Sequence, residues 1–170
     1  GTQRFSESGS MSTSEAFGGD GGFCFIDQQD ANYQIVSYVY NNYYLSTNNG
    51  ASFNTTLVEN DNAGQFINPA DYDNTAKILY SGASTNQFFR INNITTNPTA
   101  QTAVNIALSG GSVSAIRANA FLANRIFIGT DNGRVFKVDN AHSNAPVATE
   151  ISGVGQINNG YVSNIDIGAN

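Results

Sequence analysis

From residue 23 to residue 152 the chain is a succession of short apolar runs, each closed by a turn rich in Asn, Gly or Ser. Runs of about 5 to 7 residues at a spacing of about 8 to 12 are too short for amphipathic helices and fit strands joined by turns, so an all-β fold is expected. FCFID (23–27), QIVSYVY (34–40), NYYLST (42–47) and ASFNTTLV (51–58) come first. GQFINPA (64–70), AKILYSGA (76–83), NQFFRINN (86–93) and TAVNIAL (102–108) follow. SVSAIRAN (112–119), NRIFIGTD (124–131), GRVFKVDN (133–140) and VATEIS (147–152) form a third group.

The three groups resemble one another. Each runs as an apolar strand, a loop with Asp or Asn, a second strand ending in a small residue, a tight turn, a third strand and a weaker fourth. Starts at Phe23, Phe66 and Val113 give a period of roughly 45 residues, the length of a four-stranded propeller blade. The expected architecture is therefore one domain over 1–170 with antiparallel blades at about 18–60, 61–110 and 111–157. YVSNIDIGAN (161–170) repeats the opening of a group and is expected to be the first strand of a fourth blade. Closed propellers use about 4 to 8 blades, so three blades and a strand imply a partial propeller. Its open edges favour self-association, and the chain is expected to be a piece of a longer protein.

Composition narrows the function classes. Charged residues make up 12% of the 170 residues, with 7 Lys and Arg against 13 Asp and Glu and a net charge of −6. No basic surface is available to neutralise phosphates, so nucleic acid is not an expected partner. No run approaches the roughly 18 apolar residues of a membrane-spanning helix, so membrane insertion is not expected. GTQRFSESGS lacks the basic start and apolar core of a signal peptide. The chain is then either cytosolic or an excised part of a longer exported precursor. Cys24, the single cysteine, lies in FCFI and is expected to be a buried small hydrophobe.

STNNGASF (46–53) places Ser46, Asn48, Gly50 and Phe53 in the pattern Ser-x-Asp-x-Gly-x-x-aromatic, with Asn in the Asp position. A short polar side chain bonds the turn backbone, glycine takes a positive φ, and the aromatic folds back on the blade. The stretch resembles the Asp-box of sialidase-like, sortilin-type and xyloglucanase-like propeller repeats, and the order of GGDGG, FIDQQDANYQIVSYVY and STNNGASF is similar to that of secreted bacterial members. The resemblance implies a structural staple at these four residues and a secreted or cell-surface location within a longer precursor. RIFIGTDNGRVFKV (125–138) is similar to another such hairpin, with Gly129 where the box has serine.

Catalytic readings are weaker. The sialidase resemblance would imply three arginines clamping a carboxylate; Arg4, Arg90, Arg117, Arg125 and Arg134 are the only arginines, and a three-blade piece does not display a full set around one pocket. The xyloglucanase resemblance would imply a catalytic Asp in the strand that here reads SYVYNNYYLS, with Tyr40 or Asn41 in its place. Thr130 and Asp131 survive in GTDNGRVF, but DNG between apolar runs is a hairpin turn. GGDGG (18–22) lacks the lysine and following helix of a phosphate loop. Asp20 then either bonds neighbouring amides in a turn or faces a channel.

No cofactor is expected. His142 stands alone in a loop, and the pairs Asp71 with Asp73 and Glu59 with Asp61 lie in stretches that read as connecting loops. Neither pair completes the spacing of a calcium loop, the only metal site weighed against a solvated turn. Asn54 and Asn93 stand in glycosylation sequons.

The expected function is a non-catalytic binding or scaffold module of an exported protein, recognising a protein or a glycan, with Tyr38, Tyr40, Tyr43 and Tyr44 available for stacking. Strand alternation sends part of that set into the core. The alternative is a glycoside hydrolase fragment using Asp20 or Asp131, which needs two carboxylates about 5 to 9.5 Å apart in an open cleft.

Overall fold

The computed structural model describes residues 1–5, 7–153, 157 and 160–168. Among them there is no helix, hence none able to cross a membrane. A short hairpin comes first, β1 (Thr2–Arg4) with β2 (Ser14–Phe17). Three four-stranded antiparallel sheets follow, each paired in sequence order and none closed on itself. The first holds β3 (Cys24–Ile26), β4 (Gln34–Ser37), β5 (Tyr43–Ser46) and β6 (Thr55–Val58). The second holds β7 (Ala70–Asp73), β8 (Ile78–Gly82), β9 (Gln87–Ile91) and β10 (Thr102–Asn105). The third holds β11 (Val113–Ala118), β12 (Ile126–Thr130), β13 (Val135–Asp139) and β14 (Val147–Glu150).

The second sheet is buried on both faces. Successive strand residues point to opposite sides, and β8, buried along its whole length, divides accordingly. Leu79 joins Ile35, Tyr43, Leu45, Tyr72 and Ile91 in a core shared with the first sheet. Ile78 and Tyr80 join Phe88, Ile116, Ile126, Ile128, Phe136 and Val138 in a core shared with the third. Each such side chain contributes about 1.5–3 kcal/mol by leaving water.

The cores are joined by polar links at each sheet boundary. Asn41 is fully buried, its Nδ2 donating to Asp61 and Gln101 while its Oδ1 accepts from Ser81 and Asn68. Asn68 Nδ2 also donates to the Gly82 carbonyl. Arg90, buried on the far side of the second sheet, donates to the Ala141 and Ser143 carbonyls and to Asn144 of the third.

Three expectations about the chain path are corrected. The second sheet begins with Ala70–Asp73, not with 64–70, because Pro69 carries no N–H for a ladder and Asn68 is held in the buried amide network. Ile67 makes only an isolated parallel bridge to Tyr40. Asp71 and Asp73 therefore lie on a half-buried and a buried strand position, not in a solvated connection. Residues 161–168 form no strand; 169 and 170, and 154–156 at the end of the third expected group, lie outside the described residues. Cys24 is exposed, since its side of the first sheet has no four-stranded sheet packed on it.

Val162 nevertheless occupies a place that the repeat defines. In the second sheet, Gly82 at the end of the second strand lies beside Val113, which opens the next sheet, while a Cβ there would collide with the Asn68 side chain. In the third, Gly129 leaves room for Val162, and a Cβ there would collide with the valine side chain. The Val162 amide donates to the Thr130 carbonyl at 3.2 Å, and its own carbonyl accepts from Ser114 Oγ at 2.7 Å. Gly129→Ala is expected to displace Val162 and cost about 1–3 kcal/mol by overpacking, read as a fall in the midpoint of chemical denaturation; an unchanged midpoint would mean that this seat contributes nothing.

Candidate functional site

The first strands of all three sheets line one open cleft of about 550 Å³. β3 contributes Cys24, Phe25 and Ile26, β7 contributes Asp71, Tyr72 and Asp73, and β11 contributes Arg117 and Ala118. The turns after these strands add Gln28, Asn74, Thr75, Asn119 and Phe121, and Ile167 closes one side.

The turns are built by one device repeated at equal spacing. Asp27 accepts the amides of Gln29 and Asp30, Asp73 those of Thr75 and Ala76, and Asn119 those of Phe121 and Leu122. A side chain that caps the amides two and three residues ahead fixes the exit of the strand. The second oxygen of each acid reaches the next sheet. Asp73 Oδ2 accepts the Asn124 amide at 2.7 Å, while Asp27 Oδ2 accepts from the Tyr72 hydroxyl at 2.7 Å and lies 2.6 Å from Lys77 Nζ. Burial works to raise the pKa of Asp27, but hydrogen bonds from Lys77, Tyr72 and the two amides outweigh it and hold the carboxyl below its ordinary range.

Asp71 is different. Its carboxylate accepts the Tyr72 and Ala118 amides at 2.9 Å each and faces the Arg117 guanidinium at 3.7 Å. Burial dominates here and pushes its pKa up, against the two amides and Arg117, with the neighbouring Asp73 charge acting in the same direction as burial. Arg117 is half exposed at 50% and presents a cation at the cleft surface. The cleft thus offers an acceptor beside a donor, a rim of amides, and the exposed ring of Phe121.

The hairpin staples are clearer in space than in sequence. Ser46 Oγ accepts the Gly50 amide at 2.9 Å and donates to Asn48 Oδ1, which in turn accepts the Ser52 amide. Thr130 Oγ1 accepts the Arg134 amide at 3.0 Å and donates to Asn132 Oδ1 in the same pattern. Thr130, one residue beyond Gly129, is therefore the hydroxyl of the second staple. Its place differs, since Ser46 closes the turn from third to fourth strand and Thr130 the turn from second to third. Phe53 packs at 6.1 Å, edge to face, on Phe17 of the N-terminal hairpin.

Asp20 is exposed in the connection from β2 to β3 and lies outside the cleft. Asp131 is exposed in the β12–β13 turn, where its Oδ1 accepts the Ser112 amide at 2.9 Å. Tyr43 is fully buried in the first core, and burial raises its pKa. Tyr44 is half-buried on the opposite face, 4.6 Å from the Phe17 ring, and donates to Glu59. Tyr40 packs edge-on against Phe66, and Tyr38 is 36% exposed. None of these tyrosines lines the cleft. Among the described residues, no three His, Cys, Asp or Glu side chains gather into a metal site.

The sequence placed Asp71 with Asp73 in a connecting loop, because PADYDN reads as a turn, and showed Arg117 only as one of five arginines, so it did not pair the two. The available signal was the equal spacing of Asp27, Asp73 and Asn119, which aligns Phe25, Asp71 and Arg117 as equivalent first-strand positions. The chain matches no family model and no curated protein.

Asp27→Asn removes the anion facing Lys77 and is expected to cost about 3 kcal/mol, as for a broken buried pair. A depressed carboxyl pKa stabilises the fold above the unfolded value near 3.8, and that contribution is lost as pH falls through the folded pKa below it. Acid unfolding of the variant should therefore be shallower than that of the wild type below pH 4; parallel acid limbs would remove Asp27 from the ledger.

Proposed function

We propose that the chain is a non-catalytic binding module of an exported or cell-surface protein, made of three Asp-box-type propeller blades whose first strands face a common axis, and that it takes a glycan or a protein segment at the cleft those strands line. The carrying observation is the convergence of β3, β7 and β11 on one cleft in which Asp71 and Arg117 are the charged groups not consumed by a turn. Repeated capping at Asp27, Asp73 and Asn119, and the placing of Val113 and Val162 beside Gly82 and Gly129, support the blade reading. The low charge and the exposed sequon residues Asn54 and Asn93 fit a surface outside the cell.

The glycosidase alternative gains one point from Asp71, an acid of raised pKa in an open cleft. Its strand neighbour Asp73 stands two residues along the same face, about 7 Å away by strand rise, which suits a carboxylate pair. Three backbone amides already bond the Asp73 carboxylate, and the residue is buried. A buried carboxylate held by the fold in this way is a structural acceptor, and this favours binding over hydrolysis.

The test is capture on a glycan array and from native surface extracts, followed by titration of the captured ligand. Asp71→Asn and Arg117→Gln should each weaken binding by about tenfold or more with an unchanged circular dichroism spectrum. Turnover of a glycoside that disappears in Asp71→Asn would establish the hydrolase instead, and undiminished binding by both variants would move the site elsewhere.

A further inference from the structure

The glycine-rich stretch GGDGG (18–22) lies outside the cleft, and its backbone rests on the first sheet at two points. Gly19 has φ +77°, and a Cβ there would collide with the Tyr38 ring, so a glycine is what lets the chain lie against that ring. A Cβ on Gly22 would stand 2.9 Å from Ser37 Oγ and 3.6 Å from Ile67 Cγ2. The Phe23 amide, next in the chain, donates to Ser37 Oγ at 2.7 Å. Asp20 is held between these two contacts and is exposed. Its carboxylate forms neither a hydrogen bond nor an ion pair among the described residues.

The surface beside it is apolar. Phe66 is 52% and Ile67 47% exposed, and Tyr38 borders them at the same end of the first sheet. Tyr40 ties the group together, its ring edge-on to Phe66 at 5.6 Å and its backbone bridged to Ile67. Its φ of +56° is a strained angle for a residue with a side chain, and its amide donates to the Phe66 carbonyl at 2.8 Å. The patch is therefore anchored to the boundary between the first and second sheets. It stands at the start of β3, whereas the cleft turn at Asp27 follows the end of that strand, so the two surfaces are separate.

We propose that Asp20, Tyr38, Phe66 and Ile67 form a second binding site, which takes an arginine- or lysine-bearing segment of a partner protein. Charge complementarity names the occupant. An unpaired carboxylate beside exposed rings suits a cation carried on an apolar stem: the stem covers Phe66 and Ile67, and the charged head reaches Asp20 and a ring face. Residues 1–61 hold seven of the thirteen acids and one cation, Arg4, so the field at this end of the chain also attracts a cation. A neutral glycan gains nothing from that field, which decides for the basic segment. The site is independent of what the cleft binds.

Fluorescence anisotropy of a labelled peptide of alternating glycine and arginine, titrated with the full chain at ~0.15 M salt, tests the proposal. Saturable binding is expected, with none for a glycine–glutamine peptide of the same length. Asp20→Asn and Phe66→Ala should each weaken it about fivefold with an unchanged circular dichroism spectrum. Glu7→Gln removes an exposed acid elsewhere on the N-terminal hairpin, and Asp71→Asn alters the cleft; both should bind the peptide as the wild type does. Backbone amide resonances of Gly19, Gly22 and Ile67 should shift on titration. Absence of saturable binding would overturn the proposal, as would an equal loss in Glu7→Gln, which marks diffuse charge attraction, or shifts confined to the cleft. Peptide binding that survives Asp71→Asn while the cleft ligand is lost separates this site from the cleft, so either reading can fall without the other.

Discussion

Burial of the second sheet on both faces is the constraint on which the rest of the structure depends. A strand with one buried face alternates apolar and polar residues, and the sheet it belongs to needs only one partner. β8 has no polar face turned to water, and even Ser81 is spent on Asn41 of the neighbouring sheet. Leu79 and Tyr80, adjacent in sequence, enter different cores. Neither outer sheet can leave without exposing one of those cores, and the three sheets are thereby tied into one folding unit even though their backbone hydrogen bonds never cross from sheet to sheet within the ladders.

That coupling explains the placement of buried polar groups. Removing an amide or a charge from water is costly unless its bonds are remade, so such groups are tolerated where they join elements that must keep register. Asn41 and Asn68 bond across the first boundary, and Asp27 reaches Tyr72 and Lys77 there as well. Asp73 and Arg90 do the same across the second. Apolar packing alone would allow two twisted sheets to slide; these directional bonds fix the offset of one against the next, and with it the position of each first strand on the cleft.

The all-β class and most strand positions were legible because the turn chemistry is local. STNNGASF declares its staple in eight residues, and DNG declares the turn at Asp131. The second sheet was misread for the opposite reason: GQFINPA has strand-like composition, whereas PADYDN, with two acids and a proline, resembles a loop. What makes ADYD a strand is non-local, namely amides of Ala118 and Asn124 that satisfy its carboxylates from the next sheet. Cys24 fails similarly, since FCFI gives the apolar character of both faces but not which face has a partner. The N-terminal hairpin is held by Phe17 against Tyr44 and Phe53, contacts that no local pattern announces.

The same reasoning separates the cleft's framework from its chemistry. At the end of each first strand, Asp27, Asp73 and Asn119 must supply an acceptor for two amides, and the carboxylates also hold the next sheet. Those positions are bound to the fold. Two residues earlier, Phe25, Asp71 and Arg117 occupy equivalent places with no such duty in common: one is apolar, one anionic and one cationic. A repeat frame that assigns its turn work to one position leaves this other position free to differ from sheet to sheet. Asp71 and Arg117 meet only because adjacent sheets bring their free positions together at 3.7 Å, so the charge pair of the cleft is a property of the stack and not of any single repeat.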